Sequence, residues 1–255
     1  MPDAIWPPST LAASAPLLVL WDVDHTLIDN GGISKAVYAS TFETLTGRLP
    51  EHAVLTEGRT EPEIIRNLFV RHGLELQPDQ LAGLPGVLAA ALGAKLPQLH
   101  ERGRALPGAE AALRALEATP GIVQSVLTGN VRANAMAKLA AFGLDRYVDF
   151  DAGGYGSDDA DRPKLVAIAR KRATAKYGAR FDPASTVVIG DTPRDVQAGR
   201  QGGAYVVAVA SGIDHADDLR AEGADVVLPD LRDTAAIVAA VLGARSRAVG
   251  EPVAG

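Results

Sequence analysis

The run Leu17-Leu18-Val19-Leu20-Trp21 constrains this chain more than any other stretch, because it ends in Asp22-Val23-Asp24-His25-Thr26. Five consecutive apolar residues suit a fully buried strand and are short for a helix. The run then stops abruptly in two aspartates one residue apart. Carboxylates delivered at the C-terminal end of a buried strand lie where open α/β sheets bind their ligands. Two carboxylates so close repel each other, so a cation or a shared proton is expected beside them. One reading is a Mg²⁺-dependent phosphoryl-transfer site with an aspartate as nucleophile. The other is an acidic strand end on the surface.

The chain downstream changes character twice. Asp29-Asn30-Gly31-Gly32 is a dense turn cluster and reads as a hinge. Ile33, Val37, Phe42 and Leu45 then lie near one helical face, which Gly47 ends. Thr60-Glu61-Pro62-Glu63 fits a capping box, with Thr60 as the cap and Glu63 reaching back to its amide. Ile64, Ile65, Leu68 and Phe69 supply that helix's apolar face, and 81–99 continues helically with a break at Pro85-Gly86. Nothing over 31–105 has the character of a core strand.

From Pro107-Gly108 onward, strands alternate with helices. Helices are expected over 109–118, 131–142 and 163–177. Strands are expected over 122–127, 147–150, 186–189, 204–210 and 226–228, with a Gly/Asp-rich loop at 153–161. Such alternation predicts a parallel sheet with helices on both faces. The expected fold class is α/β: a doubly wound, Rossmann-like parallel-sheet core (16–30 and 106–244) with an inserted α-helical cap (31–105). A flexible leader (1–15) and a flexible tail (245–255) flank it.

Two further strands end in polar residues suited to the same place. The strand at 122–127 leads into Thr128-Gly129-Asn130 at a helix start, where free amides and a hydroxyl can hold phosphate oxygens. The same residues also make an ordinary N-cap. The strand at 186–189 ends in Gly190-Asp191-Thr192-Pro193-Arg194-Asp195. One helical turn can bring Asp191 and Asp195 to a single ion, and Mg²⁺ takes such hard oxygen ligands together with substrate phosphate. Helix capping by either aspartate is the competing reading. Arg162 and Lys164 open a helix, where cations oppose the helix dipole. A bound anion or the aspartate cluster supplies a reason for them; a solvated pair beside Asp158, Asp159 and Asp161 is the alternative.

A net charge of −6 argues against nucleic acid as a partner while leaving room for a small anionic substrate. No apolar run approaches the roughly 20 residues that span a bilayer. The N-terminus lacks a signal-peptide pattern. With no cysteine there are no disulfides or thiolate metal sites, which suits a reducing compartment. The expectation is a cytoplasmic enzyme, monomer or homodimer, with neither nucleic-acid nor membrane partners.

These residues in this order resemble the haloacid dehalogenase superfamily of phosphatases. Asp22-Val23-Asp24-His25-Thr26 is similar to its first motif, Thr128 to the second, Lys164 to the third, and Gly190-Asp191 through Asp195 to the fourth. The helical block resembles the family's cap between motifs one and two, and the resemblance runs from about residue 17 to 242. It implies that Asp22 attacks phosphorus to form an aspartyl-phosphate, and that Asp24 protonates the leaving oxygen and later deprotonates the attacking water. It also implies Mg²⁺ on the carboxylates of Asp22 and Asp191 and the backbone carbonyl of Asp24, with Asp195 in support. Thr128 and Lys164 would stabilise the phosphoryl oxygens, with Thr26, Gly129, Asn130 and Arg162 at the substrate. His25 stands where the family usually carries glycine. Lys164 lacks the usual following proline, and Arg162 is close enough to compete with it. Glu57-Gly58-Arg59-Thr60 resembles a loop of phosphoglycolate-type caps, which puts Arg59 at a substrate carboxylate or in a surface salt bridge. The function implied is Mg²⁺-dependent hydrolysis of a small, phosphoglycolate-like phosphomonoester. A β-phosphoglucomutase-type mutase and a non-catalytic phosphate-binding module are the alternatives.

Overall fold

The central strand β1 (Leu17–Trp21) is buried along its whole length, and its side chains alternate between two separate cores. Leu17, Val19 and Trp21 face one side and Leu18 and Leu20 the other, as the two-residue period of a strand requires. Each such side chain, fully removed from water, contributes roughly 1.5–3 kcal/mol. Trp21 keeps its polar atom satisfied, since Nε1 donates to Gln124 Oε1 at 3.0 Å. The computed structural model describes residues 16–56 and 58–248.

After β1 come β2 (Ile28–Asp29), then α1 (Ile33–Thr46), α2 (Glu61–Arg71), α3 (Pro78–Gly93) and α4 (Leu96–Arg102), and then β3 (Arg104–Ala105). The four helices bury their own apolar core, built on Ile33, Phe42, Ile65, Phe69, Leu88 and Leu99. β2 and β3 pair antiparallel, so the chain leaves for the helical block and returns from it side by side. α5 (Ala109–Glu117), β4 (Ile122–Thr128), α6 (Arg132–Ala140), β5 (Gly154–Tyr155) and α7 (Arg162–Tyr177) follow. The chain then runs through β6 (Thr186–Gly190), α8 (Pro193–Gln201), β7 (Tyr205–Val209), α9 (Ala216–Ala221), β8 (Val226–Leu228) and α10 (Thr234–Ala248).

The sheet has the order β5-β4-β1-β6-β7-β8, and every pairing in it is parallel. The α/β core with an inserted helical cap expected from the sequence is the observed fold. Chain order departs in opposite directions on the two sides of β1, which makes the ends of β1, β4 and β6 the crevice where such sheets bind ligands.

Four local expectations need correction. The strand expected at 147–150 is a pair of short 3₁₀ turns, Asp145–Tyr147 and Phe150–Ala152, and the edge strand lies within the expected loop at Gly154–Tyr155. Asp149 favours the turn, because its side chain accepts from the Asp151 amide at 2.9 Å. Pro85 does not break α3, which runs through it; lacking an N–H, it forfeits only the helical bond to the Leu81 carbonyl. Only the Thr60 half of the capping box at α2 forms, because Glu63 pairs instead with Arg59 and Arg194. The expected tail boundary at 245 falls inside α10, where Arg245 Nη2 donates to the Pro120 carbonyl at 2.9 Å. The leader at 1–15, Glu57 and the tail beyond 248 lie outside the described residues.

Candidate active site

β1, β4 and β6 are neighbours in parallel register, with Trp21 level with Val126 on one side and Ile189 on the other. The polar residues just past each strand therefore meet. One carboxylate oxygen from each of Asp22, Asp191 and Asp195 lies within 4.8 Å of the other two, and all three residues are buried. Burial first, and then the charge of Asp195, pushes the Asp22 carboxyl up to about 8 against the opposing pull of Arg162. Asp191 is raised as well, by burial and then by Asp195 and Asp22.

Each member of the cluster is held in place. Thr26 Oγ1, fully buried, donates to Asp191 Oδ1 at 3.0 Å. Asp195 Oδ2 accepts from the Thr192 amide and hydroxyl at 3.0 and 2.7 Å. Asp195 thus closes the capping box of α8 with Thr192 through Oδ2 and leaves Oδ1 towards the cluster. Its Oδ1 accepts no hydrogen bond among the described residues; it faces Arg162 Nη2 at 2.5 Å in an ion pair that lacks hydrogen-bond geometry. Close packing requires glycine at two points. A Cβ at Gly212 would lie 1.9 Å from Asp191 Oδ2, and one at Gly190 2.4 Å from Asp195 Cγ. Buried, mutually repelling hard-oxygen donors with an unused lone pair fit a divalent cation such as Mg²⁺.

The cation at this cluster is Arg162. Its Nη2 donates to Asp22 Oδ1 at 2.7 Å, its Nη1 donates to the Gly58 carbonyl of the cap at 2.8 Å, and its buried Nε has no partner among the described residues. Lys164, expected there from the motif order, is 61% exposed and pairs with Asp159 at 3.3 Å and Asp161 at 3.8 Å. Residues two apart on a helix point in nearly opposite directions, so one turn cannot offer both to Asp22. A polar cavity of about 340 Å³ lies beside Arg162, lined in part by Gly58, Thr60, Glu63, Arg194 and Gln197.

Asp24 sits in a different environment. Lys138 Nζ donates to Oδ1 at 3.0 Å and to Oδ2 at 2.7 Å, Asn130 Nδ2 donates to Oδ2 at 2.8 Å, and Asn30 Nδ2 to Oδ1 at 2.7 Å. Burial alone would raise this carboxyl, yet the charge of Lys138 and these hydrogen bonds outweigh it and hold Asp24 below the usual carboxylate range. Two aspartates one residue apart are thus driven in opposite directions: without a bound cation, Asp22 is pushed towards its neutral acid and Asp24 towards its carboxylate.

Thr128 Oγ1 accepts from the Asn130 amide at 3.2 Å and from its side chain at 2.7 Å. Asn130 therefore serves Asp24 and Thr128, and the N-cap of α6 is Val131, with no side-chain cap. The Gly129 carbonyl accepts the Glu61 amide of the cap at 2.8 Å. Arg59 is half-buried with Nε 3.5 Å from Glu63 Oε1. His25 adopts φ 65, the left-handed conformation that glycine takes without strain; its carbonyl accepts from Ser211 Oγ at 2.7 Å.

Sequence reasoning missed three residues. Lys138 is 1% exposed and, besides Asp24, donates to Ser34 Oγ at 2.8 Å and Asn130 Oδ1 at 2.6 Å. Its signal was present, for it stands with Val131, Ala135 and Leu139 on the buried face of α6. Asn30 reads only as a hinge residue. Glu61 seats the cap on the core: its side chain accepts from the Val131 amide at 2.8 Å and from Asn134 Nδ2 at 3.0 and 3.1 Å. Burial raises the Glu61 carboxyl, with Lys138 and the Val131 amide opposing.

A doubly wound core with an inserted helical cap and an aspartate cluster at its crevice defines a class of hydrolase. Residues 19–200 match the haloacid dehalogenase-like hydrolase family, and the chain belongs to it. It is 31% identical over 228 residues to "Probable phosphatase IndB" of Dickeya dadantii, covering 88% of this chain and 94% of that one. Over 239 residues it is 26% identical to "Pyrophosphatase PpaX" of Halalkalibacterium halodurans, covering 87% and 97% of the two chains. A hydrolase from Pseudomonas syringae shares the fold with a TM-score of 0.64 at 23% identity, covering 88% of this chain and 98% of its own. Among the described residues no helix is long and apolar enough to cross a membrane.

Proposed function

We propose that this phosphatase of the haloacid dehalogenase-like family hydrolyses a small phosphomonoester, phosphoglycolate-like in size, through an aspartyl-phosphate on Asp22. The observation that carries this reading is the convergence of the Asp22, Asp191 and Asp195 carboxylates with the Arg162 guanidinium at the ends of the adjacent strands β1 and β6. The carboxylates of Asp22 and Asp191 and the backbone carbonyl of Asp24, with Asp195 in support, would hold Mg²⁺, which would supply charge neutralisation to the phosphoryl oxygens.

Asp22 attacks phosphorus in line and the bond from phosphorus to the substrate oxygen breaks. As the charge of the phosphate group enters the site, Asp24 takes up a proton from solvent and gives it to that oxygen, releasing the alcohol. Asp24 then takes a proton from the water that attacks the aspartyl-phosphate, and inorganic phosphate leaves with both side chains restored. Arg162, whose Nε has no partner among the described residues, and Thr128 stabilise the charge on the transferring group. Thr26 acts through Asp191, and Asn130 through Asp24. The block at 31–105 serves as a cap over the core at 16–30 and 106–244, and Arg59 on it faces a substrate carboxylate. The polar cavity beside Arg162 supports a small, polar substrate.

The test is phosphate release by the purified protein with Mg²⁺ against p-nitrophenyl phosphate, phosphoglycolate, sugar phosphates and pyrophosphate. Turnover in wild type that disappears in Asp22→Asn is the expected result. No turnover in wild type, or full turnover in Asp22→Asn, refutes the assignment. Isomerised sugar phosphate without net phosphate release would identify a mutase instead.

A further inference from the structure

Lys138 is, among the described residues, the one buried ammonium in the network around Asp24, and α6 could pack without it. Its neighbours on that helix face, Ala135 and Leu139, are fully buried and apolar. Taking an ammonium out of water is costly, and an apolar residue of similar volume often serves stability as well or better. A structural role therefore accounts poorly for the lysine.

Its contacts point to a different role. An ammonium has three donor hydrogens, and Lys138 Nζ lies within hydrogen-bond reach of both Asp24 oxygens, Asn130 Oδ1 and Ser34 Oγ, at 2.6–3.0 Å. Asn130 closes the loop by donating to the same carboxylate at 2.8 Å. The plane of the Asp24 carboxylate is therefore set from both of its oxygens at once. Ser34 belongs to the first turn of α1, directly after the chain leaves the core for the cap. Proton transfer depends on placement at the scale of an ångström, so a group that sets this plane sets the rate.

We propose that Lys138 is a positioning residue: it fixes the orientation of the Asp24 carboxylate through both oxygens and ties it to the first turn of the cap through Ser34. This inference rests on the proton-transfer role of Asp24 described above. It assigns Lys138 no contact with substrate.

A double-mutant cycle tests it. Lys138→Met should lower kcat about 100-fold and leave KM within about threefold of wild type. In an Asp24→Asn background the same substitution should change kcat by less than about threefold, because the group it orients is already gone. Lys138→Ala should regain kcat with added ethylammonium or propylammonium and not with tetramethylammonium, which has no donor hydrogen. If Lys138→Met does not fold, as judged by its urea transition, Lys138→Gln takes its place in the cycle. Losses that add in the double variant, with Asp24→Asn itself impaired, overturn the positioning role and leave the proposed function intact. Wild-type kcat in Lys138→Met overturns it too. Full activity of Asp24→Asn removes the acid–base reading and this inference with it.

Discussion

Removing Arg162 should damage both stability and turnover, whereas removing Lys164 should leave both alone. Arg162 is 9% exposed and lies 2.7 Å from Asp22 Oδ1 and 2.5 Å from Asp195 Oδ1. Breaking a buried pair by deleting one partner leaves uncompensated charge and costs about 3–5 kcal/mol. Protonation relieves part of that, since the Asp22 carboxyl is already pushed up to about 8. Arg162→Ala should therefore lose more stability at pH 8 than at pH 6, and Mg²⁺ should recover some of it. In turnover, losing a donor aimed at the developing charge lowers kcat about 10²–10³-fold. Lys164 makes an exposed pair at 3.3 Å, a contact of about 0–1 kcal/mol, and Lys164→Ala should keep wild-type kcat. Arg162→Lys should fall between, because a point charge cannot reach Asp22, Asp195 and the Gly58 carbonyl together. Phosphate-release kinetics and urea midpoints, with and without Mg²⁺, read both quantities. If Lys164→Ala loses as much kcat as Arg162→Ala, or Arg162→Ala keeps it, the assignment of the cation is wrong. Should Arg162→Ala fail to fold, Arg162→Lys against Lys164→Ala makes the same comparison.

The pH dependence of stability follows from the cluster. The Asp22 carboxyl moves from 3.8 to about 8 on folding, so between those values the folded state binds more protons, and its stability falls as pH rises. Asp191 acts with the same sign, while Asp24, held low, acts at the acid end. The metal-free Tm should drop from pH 5 to pH 8, and Mg²⁺ should raise Tm more at pH 8; an equal shift at both values would exclude the cluster as the Mg²⁺ site. His25→Gly relieves a left-handed backbone worth about 1–2 kcal/mol and gives back about 0.5–1 in unfolded-chain entropy. Its urea midpoint should rise, and a fall would show that the His25 side chain makes a stabilising contact. Glu61→Ala strips the acceptor from the Val131 amide and from Asn134, costing about 2–4 kcal/mol. Proteolysis at 29–32 and 102–105 should quicken, and unchanged cutting would place the seat of the cap elsewhere.

Much of the fold was legible because its signals are local. β1 reads as a buried strand from five residues, and α1, α2 and α6 from the spacing of their apolar faces. Errors arose where a distant or competing contact decided the outcome. The turns around 145–152 follow from Asp149 bonding its own backbone and from Tyr177 and Lys176 reaching it at 2.6 and 2.7 Å across 27 or 28 residues. Glu63 looked like a capping residue until Arg194, on a different element of the core, drew its carboxylate away. Local pattern carries no information on such partners.

The site divides along the same line. Asp22, Asp24, Asp191 and Asp195 were legible because each closes or follows a strand, and strand ends in a parallel sheet converge without further information. Arg162 and Lys164 lie in the same helical turn, so spacing alone offered either. The choice depends on which face α7 turns toward β1, and Val166, Ala169 and Ala173 settle that by packing against Leu18 and Leu20. Lys138 reaches Asp24 across 114 residues, so its partner was out of sight, but its oddness was not. A lysine in the i, i+4, i+7, i+8 series of a helix that packs on a sheet breaks the apolar pattern. An ammonium buried at such a position needs an anion within reach. Which anion that is depends on how α6 lies against the sheet, so the break in pattern marks Lys138 without naming Asp24 as its partner.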